Sequence, residues 1–167
     1  ANPGLGQVLI RPPSPISEES FDALRRFGGY PEPLLKANDR FWRQWSRSRR
    51  QQLLRDDLRD LTRIRELGQV EVLCDLIREG AGQLTNQSTL ARTTSASQDS
   101  IKRWLATLEA LYFCFPIRPW HKNVTRALRK EPKYYLWDWS QATNEGARAE
   151  NLVASALLKA AQLWTDR

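Results

Sequence analysis

Between Val70 and Tyr112 the apolar positions fall into three closely spaced sets separated by two short polar turns. Leu73, Leu76 and Ile77 make the first set, Leu84 and Leu90 the second, and Ile101, Leu105, Leu108 and Tyr112 the third. The third repeats at i, i+4, i+7 and i+11, the stripe of an amphipathic helix. Ser97 offers its N-cap, Asn86 caps a helix over 87–93, and Gly80-Ala-Gly82 closes a helix over about 69–79. Three short helices with a tight turn before the last predict a helix-turn-helix. Phe113-Cys-Phe115 and Tyr134-Tyr-Leu-Trp137 are aromatic-rich and β-prone, suited to pair as the wing of a winged helix. Pro116 and Pro119 restrict the first of them to a short or edge strand.

The flanks follow from their own punctuation. Pro3, Pro12, Pro13 and Pro15, with Gly4 and Gly6, make residues 1–16 an extended arm or linker, within which Val8-Leu9-Ile10 is apolar enough for a weak edge strand. Ser17 is an N-cap with Glu18 and Glu19 in the first turn, and the helix runs through Phe21 and Leu24 to Gly28-Gly29. Pro31 and Pro33 predict a turn there. Asn38 or Asp39 then caps a long helix reaching about Ile64, and Gly68 is expected to break it from the next. Thr143 or Asn144 caps a final helix with a stripe of Ala149, Leu152, Val153, Ala156, Leu157, Ala160, Leu163 and Trp164. The expected fold is mainly α: a helical segment over 17–68, a winged helix-turn-helix with a short β-hairpin over 69–137, and a C-terminal amphipathic helix over 138–167.

With 41% hydrophobic residues and seven tryptophans the chain has material for a core. A net charge of +7 points to a polyanion as one class of partner. Much of the basic charge sits between Arg40 and Arg65, where Asp56, Asp57, Asp60 and Glu66 offset it. Asp56–Arg59 and Asp60–Arg63 are favourable i+3 pairs, so this stretch reads as a solvent face rather than a phosphate-facing one. DNA contact, where it occurs, is expected through the helix over 97–112. Its N-terminal residues would approach base edges, with Gln98 and Arg103 toward adenine or guanine and Lys102 toward phosphate. Arg118, Lys122, Arg126, Arg129 and Lys130 of the wing would add phosphate contacts. Against this stand Asp99, which would face phosphate, and Trp104, which would add an exposed or second apolar face.

Catalytic chemistry is thin. No Gly-x-x-x-x-Gly-Lys-[Ser/Thr] loop occurs, one histidine and two distant cysteines do not make a zinc site, and His121 has no partner set for general-base work. Cys74 and Cys114 sit among apolar residues and read as buried free thiols, suited to a reducing cytoplasm. No run is long and apolar enough for a membrane span, and no secretory leader opens the chain. The chain has no methionine, and we read it as a piece of a longer protein, without enzymatic activity of its own.

A set of short motifs in order carries a resemblance: Gly28-Gly-Tyr-Pro-Glu32; Arg55-Asp-Asp-Leu58; Leu90-Ala91, Ser100-Ile101, Trp104-Leu105 and Leu108-Glu109; Lys133-x-Tyr135-x-x-Asp138; and Glu150-Asn-Leu-Val153. Across nearly its whole length the chain resembles the C-terminal region of a bacterial and archaeal family of predicted P-loop AAA-type ATPases. The resemblance implies a helical segment and winged helix placed between an upstream ATPase module, which would bind ATP and Mg, and a downstream domain similar to restriction-endonuclease-like nucleases. It implies no cofactor for this piece. The expected partners are those two modules of the same protein, with DNA as the competing partner, a homo-oligomer left open, and no membrane. Glu150 matches an acidic position that can assist metal binding in such nuclease folds. The acidic residues and lysine that would complete the site are absent, so Glu150 is expected to be a first-turn residue favoured by the helix dipole. Trp139 departs from the small residue common after the aspartate.

Overall fold

Ser17 Oγ accepts the Ser20 amide at 3.2 Å and starts α1, Glu18–Phe27, which closes on Gly28 at a φ of 84°. The computed structural model describes residues 15–54, 66–120, 122 and 130–165. The apolar arm at Val8–Ile10, the second half of the long helix with its Asp–Arg pairs, His121, Arg126 and Arg129 lie outside the described residues.

Where a turn was expected, Pro31–Lys36 forms a short helix, α2. Its prolines fall in the first turn, where backbone N–H groups have no intrahelical acceptor, so their missing donors cost nothing. Asn38 Oδ1 accepts the Phe41 amide at 3.0 Å and opens α3, Asp39–Gln52. The next helix, α4, spans Leu67–Glu79 and contains Gly68 in its first turn. Gly68 therefore lies just inside α4 rather than ahead of it: glycine in a helix costs only about 1 kcal/mol, which packing of the following residues outweighs. The expected junction with the preceding helix, over 55–65, lies outside the described residues. Asn86 and Ser97 cap α5, Gln87–Thr93, and α6, Gln98–Ala110, through the amides of Thr89 and Ser100.

The main core gathers where α4, α5 and α6 meet one face of a small sheet. Val70, Leu73, Ile101, Trp104, Leu105 and Leu108 are all buried there. Trp104 is thus no exposed second face: its ring is interior and its Nε1 donates to Glu66 Oε2 at 3.1 Å. Two other expectations also shift. Leu84 is exposed, and Tyr112 lies beyond the end of α6 with a φ of 55° and 68% of its surface free. Leaving the helix at Leu111 turns Tyr112 off the stripe to which its spacing assigned it.

Strands β1, Cys114–Ile117, and β2, Lys133–Leu136, pair antiparallel in the register Cys114↔Leu136 to Ile117↔Lys133. Pro116 is accommodated because, among the described residues, β1 has a partner on one side only. On the opposite side of β2, Leu84 bridges to Lys133, and the amides of Gly82 and Thr85 reach the carbonyls of Tyr134 and Pro132 at 2.8 and 2.9 Å. Strand alternation turns Cys114, Tyr134 and Leu136 toward the helical core, and Phe115 and Tyr135 toward the last helix, α7, Glu145–Thr165. Among the described residues the architecture is therefore seven α-helices and one two-stranded antiparallel sheet, with a 3-10 turn at Trp139–Gln141.

The last helix corrects the expected stripe. Its inward positions are Asn151, Ala154 and Ser155, with Leu152 and Leu158 half-buried, while Val153, Ala156, Leu157 and Leu163 face outward. The sheet demands this rotation: Asn151 Oδ1 accepts the Leu136 amide at 2.8 Å and its Nδ2 donates to the Leu136 carbonyl, completing the backbone of β2 inside the core.

Candidate docking and nucleic-acid surfaces

The residues expected to touch DNA separate into two groups. Gln98, Arg118 and Lys130 line one cleft, together with Asn86, Gln87 and Ser88 at the start of α5. Glu131 shares that cleft and accepts a hydrogen bond from Asn86 Nδ2, so an anion entering it meets a carboxylate as well as two cations. The helix face gives the second group. Arg103 pairs with Glu66 at 2.8 Å, and Lys102 lies 3.5 Å from Asp99. Both side chains are more than half exposed, so these pairs contribute little to stability, yet each sets an acid beside the cation meant for phosphate or base. Lys122 is exposed on the loop between the strands, and Arg126 lies outside the described residues.

A second construction joins the N-terminal helices to the segment after β2. Asp138 is buried, and its Oδ1 accepts from the Ser140 amide at 3.2 Å and from Ser140 Oγ at 2.6 Å, while Oδ2 accepts from Gln141 Nε2 at 3.0 Å. Burial pushes the Asp138 carboxyl above the ordinary range, and the bonds from Ser140 and Gln141 oppose that push. Ser140 Oγ in turn accepts from Trp42 Nε1 at 2.9 Å, and Trp139 Nε1 donates to the Leu24 carbonyl at 3.0 Å. Arg25 pairs with Glu145 at 2.7 Å. The unusual Trp139 thus has a structural partner. Its ring occupies the space above Gly29, where a Cβ would come within 2.7 Å of it.

Glu150 is held by the sheet rather than by a helix terminus. It lies past the first turn of α7, and its Oε1 accepts from Tyr135 Oη at 2.8 Å and Lys133 Nζ at 3.1 Å. The Tyr135 bond, then the Lys133 bond, keep its carboxyl below the usual range. Among the described residues no group of three or more His, Cys, Asp or Glu side chains gathers as a metal-binding set. Cys74 and Cys114 are free and buried. Burial raises the Cys74 thiol to about 12 and the Cys114 thiol well above its usual value.

Part of the apolar stripe read from the sequence of the last helix lies on the outer face of α7. Val153, Leu157 and Leu163 are 55%, 64% and 63% exposed, spread over about a third of the helix circumference. No helix among the described residues is long and apolar enough to cross a membrane.

A family model described as Domain of unknown function (DUF8612) matches residues 18–144. The chain belongs to that family. No curated protein and no solved structure matches it.

Proposed function

We propose that this member of the DUF8612 family is a non-catalytic, cytoplasmic docking region, a winged helix with an N-terminal helical brace, set between an ATPase module upstream and a nuclease-like domain downstream in a longer protein. The winged-helix reading is supported by the extra strand-like contact at Leu84, which reaches β2 from between the first two helices of the three-helix unit. The observation that carries the docking reading is the outer face of α7. A row of exposed aliphatic side chains has no solvent role and is the kind of surface that a neighbouring domain covers. The Trp42–Ser140 and Trp139–Leu24 bonds support the same reading, because they couple the N-terminal helices α1 and α3 to the segment that leads into α7. Two unpaired, buried thiols suit a reducing compartment.

The competing reading is a winged-helix DNA-binding module, and one observation favours it: Gln98, Arg118 and Lys130 converge on a single cleft. Titration with duplex DNA at several salt concentrations separates the two. Docking predicts weak binding with the same affinity in Lys102→Ala/Arg103→Ala. Tight binding that weakens steeply with salt and is lost in that variant overturns it. In the parent protein, a phosphate-binding loop of the Walker type is expected upstream of Ala1. Leu157→Glu is expected to detach the downstream domain, read as new protease cleavage beyond α7. Hydrolysis of ATP by the pure chain defeats the non-catalytic reading.

A further inference from the structure

Tyr30 and Tyr112 line two adjoining recesses. One is walled by Trp137 and Trp139, with Ser155 at its base and Lys159 at its rim. The other, narrower and floored by apolar side chains, is lined by Arg49, Arg50 and Arg78. Three features of this double cleft go unused by the fold.

The first is Tyr112. A bulky residue at positive φ is strained, by about 1–3 kcal/mol, and strain of this kind collects where a side chain must be presented in a set position. Here the strained residue is also mostly exposed, its ring edge-on to Trp137 at a centroid distance of 5.6 Å. The second is Ser155. It is 2% exposed, and its Oγ, on the floor of the aromatic recess, has no hydrogen-bond partner. A buried hydroxyl without a partner carries a desolvation cost that a polar ligand atom would remove. The third is the arginine set. Asp75 engages Arg50 at 2.8 Å and Arg78 Nη1 at 3.3 Å, and Glu71 lies 3.5 Å from Arg50. Arg78 Nε nevertheless remains buried and unpartnered, and among the described residues Arg49 meets the Gln52 side-chain oxygen Oε1, at 3.3 Å, and the Tyr30 ring. Asp138 also lines this recess, but both its oxygens are taken by Ser140 and Gln141.

We infer that the double cleft binds a nucleotide, its base in the aromatic recess and its phosphate beside Arg49 and Arg78. Flat walls of tyrosine and tryptophan stack a heteroaromatic ring without regard to its identity. The Ser155 hydroxyl supplies one polar contact to a ring edge, which an aliphatic or purely apolar guest could not use. An organic cation is disfavoured at these aromatic faces, because Lys159 and the arginines flank them. Guanidinium groups with free N–H donors are suited to phosphate oxygens. The nucleotide is either free or a unit of single-stranded nucleic acid, since both present the same base and phosphate. The inference is independent of the docking reading: the recess takes Ser155 and Lys159 from α7 and uses none of Val153, Leu157 and Leu163.

Calorimetric titration of the whole chain with adenosine 5′-monophosphate, adenosine, inorganic phosphate and a single-stranded oligonucleotide tests it. The monophosphate or the oligonucleotide is expected to bind at least roughly tenfold more tightly than adenosine or phosphate alone, with Tyr112→Ala weakening it by a similar factor and Tyr112→Phe preserving it. Arg49→Gln should weaken the phosphorylated ligands and leave adenosine unchanged. Preference for the monophosphate identifies a free nucleotide, and preference for the oligonucleotide a single strand. Either supports the inference. Absence of saturable binding for all four probes, or equal binding by wild type and Tyr112→Ala with unchanged circular dichroism, overturns it.

Discussion

Gly28→Ala isolates the joint between α1 and the segment after β2. Gly28 has φ 84° and ψ −175°, a region populated essentially by glycine, and forcing alanine into it costs about 1–3 kcal/mol. A Cβ there would also lie 2.5 Å from Asp138 Oδ1 and 3.1 Å from Ser140 Oγ. Neither atom is free to withdraw, because Oδ1 holds the Ser140 amide and hydroxyl, and that hydroxyl oxygen holds Trp42 Nε1. Overpacking of this kind adds about 1–3 kcal/mol. The sum is about 4 kcal/mol, which for a chain of this size lowers Tm by about 8–16 °C. Thermal and urea unfolding followed by circular dichroism measure it. Gly68→Ala is the control: a Cβ there meets nothing within 4 Å and the position is helical, so stability should stay level or rise by up to about 1 kcal/mol. If Gly28→Ala costs less than about 1 kcal/mol, the joint does not hold Gly28 against Asp138 and the coupling argument fails with it.

Asn151→Ala removes the side chain that satisfies both backbone groups of Leu136 inside the core, and should cost about 2–4 kcal/mol in urea unfolding. Cys74 and Cys114 should resist alkylation by iodoacetamide at mildly alkaline pH and react together only in denaturant, because burial holds both thiols protonated; mass spectrometry reads the label, and fast native labelling refutes the burial argument. Asp138 gives a pH dependence. Its carboxyl is raised above the unfolded value, so the folded state binds the proton more tightly, and its contribution is fullest below the unfolded pKa and lost as pH rises through the folded one. The stability of wild type relative to Asp138→Asn should therefore fall from about pH 4 toward neutrality; a constant or rising difference contradicts it.

What the sequence makes legible here is local. Ser17, Asn38, Asn86, Ser97 and Asn144 each cap a helix through their own side chains, and such contacts span three residues whatever surrounds them. The apolar stripe of α6 is legible for the same reason up to Leu108. The errors fall where a distant partner decides. Period alone gives an apolar stripe on α7 but not which part of it packs on the sheet. In the structure β2 needs a donor and an acceptor for Leu136, and Asn151 supplies both, so the helix is rotated and its aliphatic row is left outside. Likewise the spacing of Tyr112 placed it in the core stripe, and only its left-handed backbone shows that it is presented outward beside Trp137.

The same cause explains why the candidate sites shifted. Charge can be counted along a chain, but whether a cation is available depends on the acid opposite it. Arg103 meets Glu66 from thirty-seven positions away and Lys130 shares its cleft with Glu131. Conversely, the unpartnered polar atoms at Ser155 and Arg78 arise only because α7, α4 and the sheet close around them. Ser46 Oγ and Arg148 Nε are also buried without a partner, but Ser155 Oγ and Arg78 Nε belong to residues that line the same aromatic double cleft, where such atoms are costly. Their convergence on one cleft is the strongest reason to look for a ligand at Tyr112 before looking for one on the reading helix.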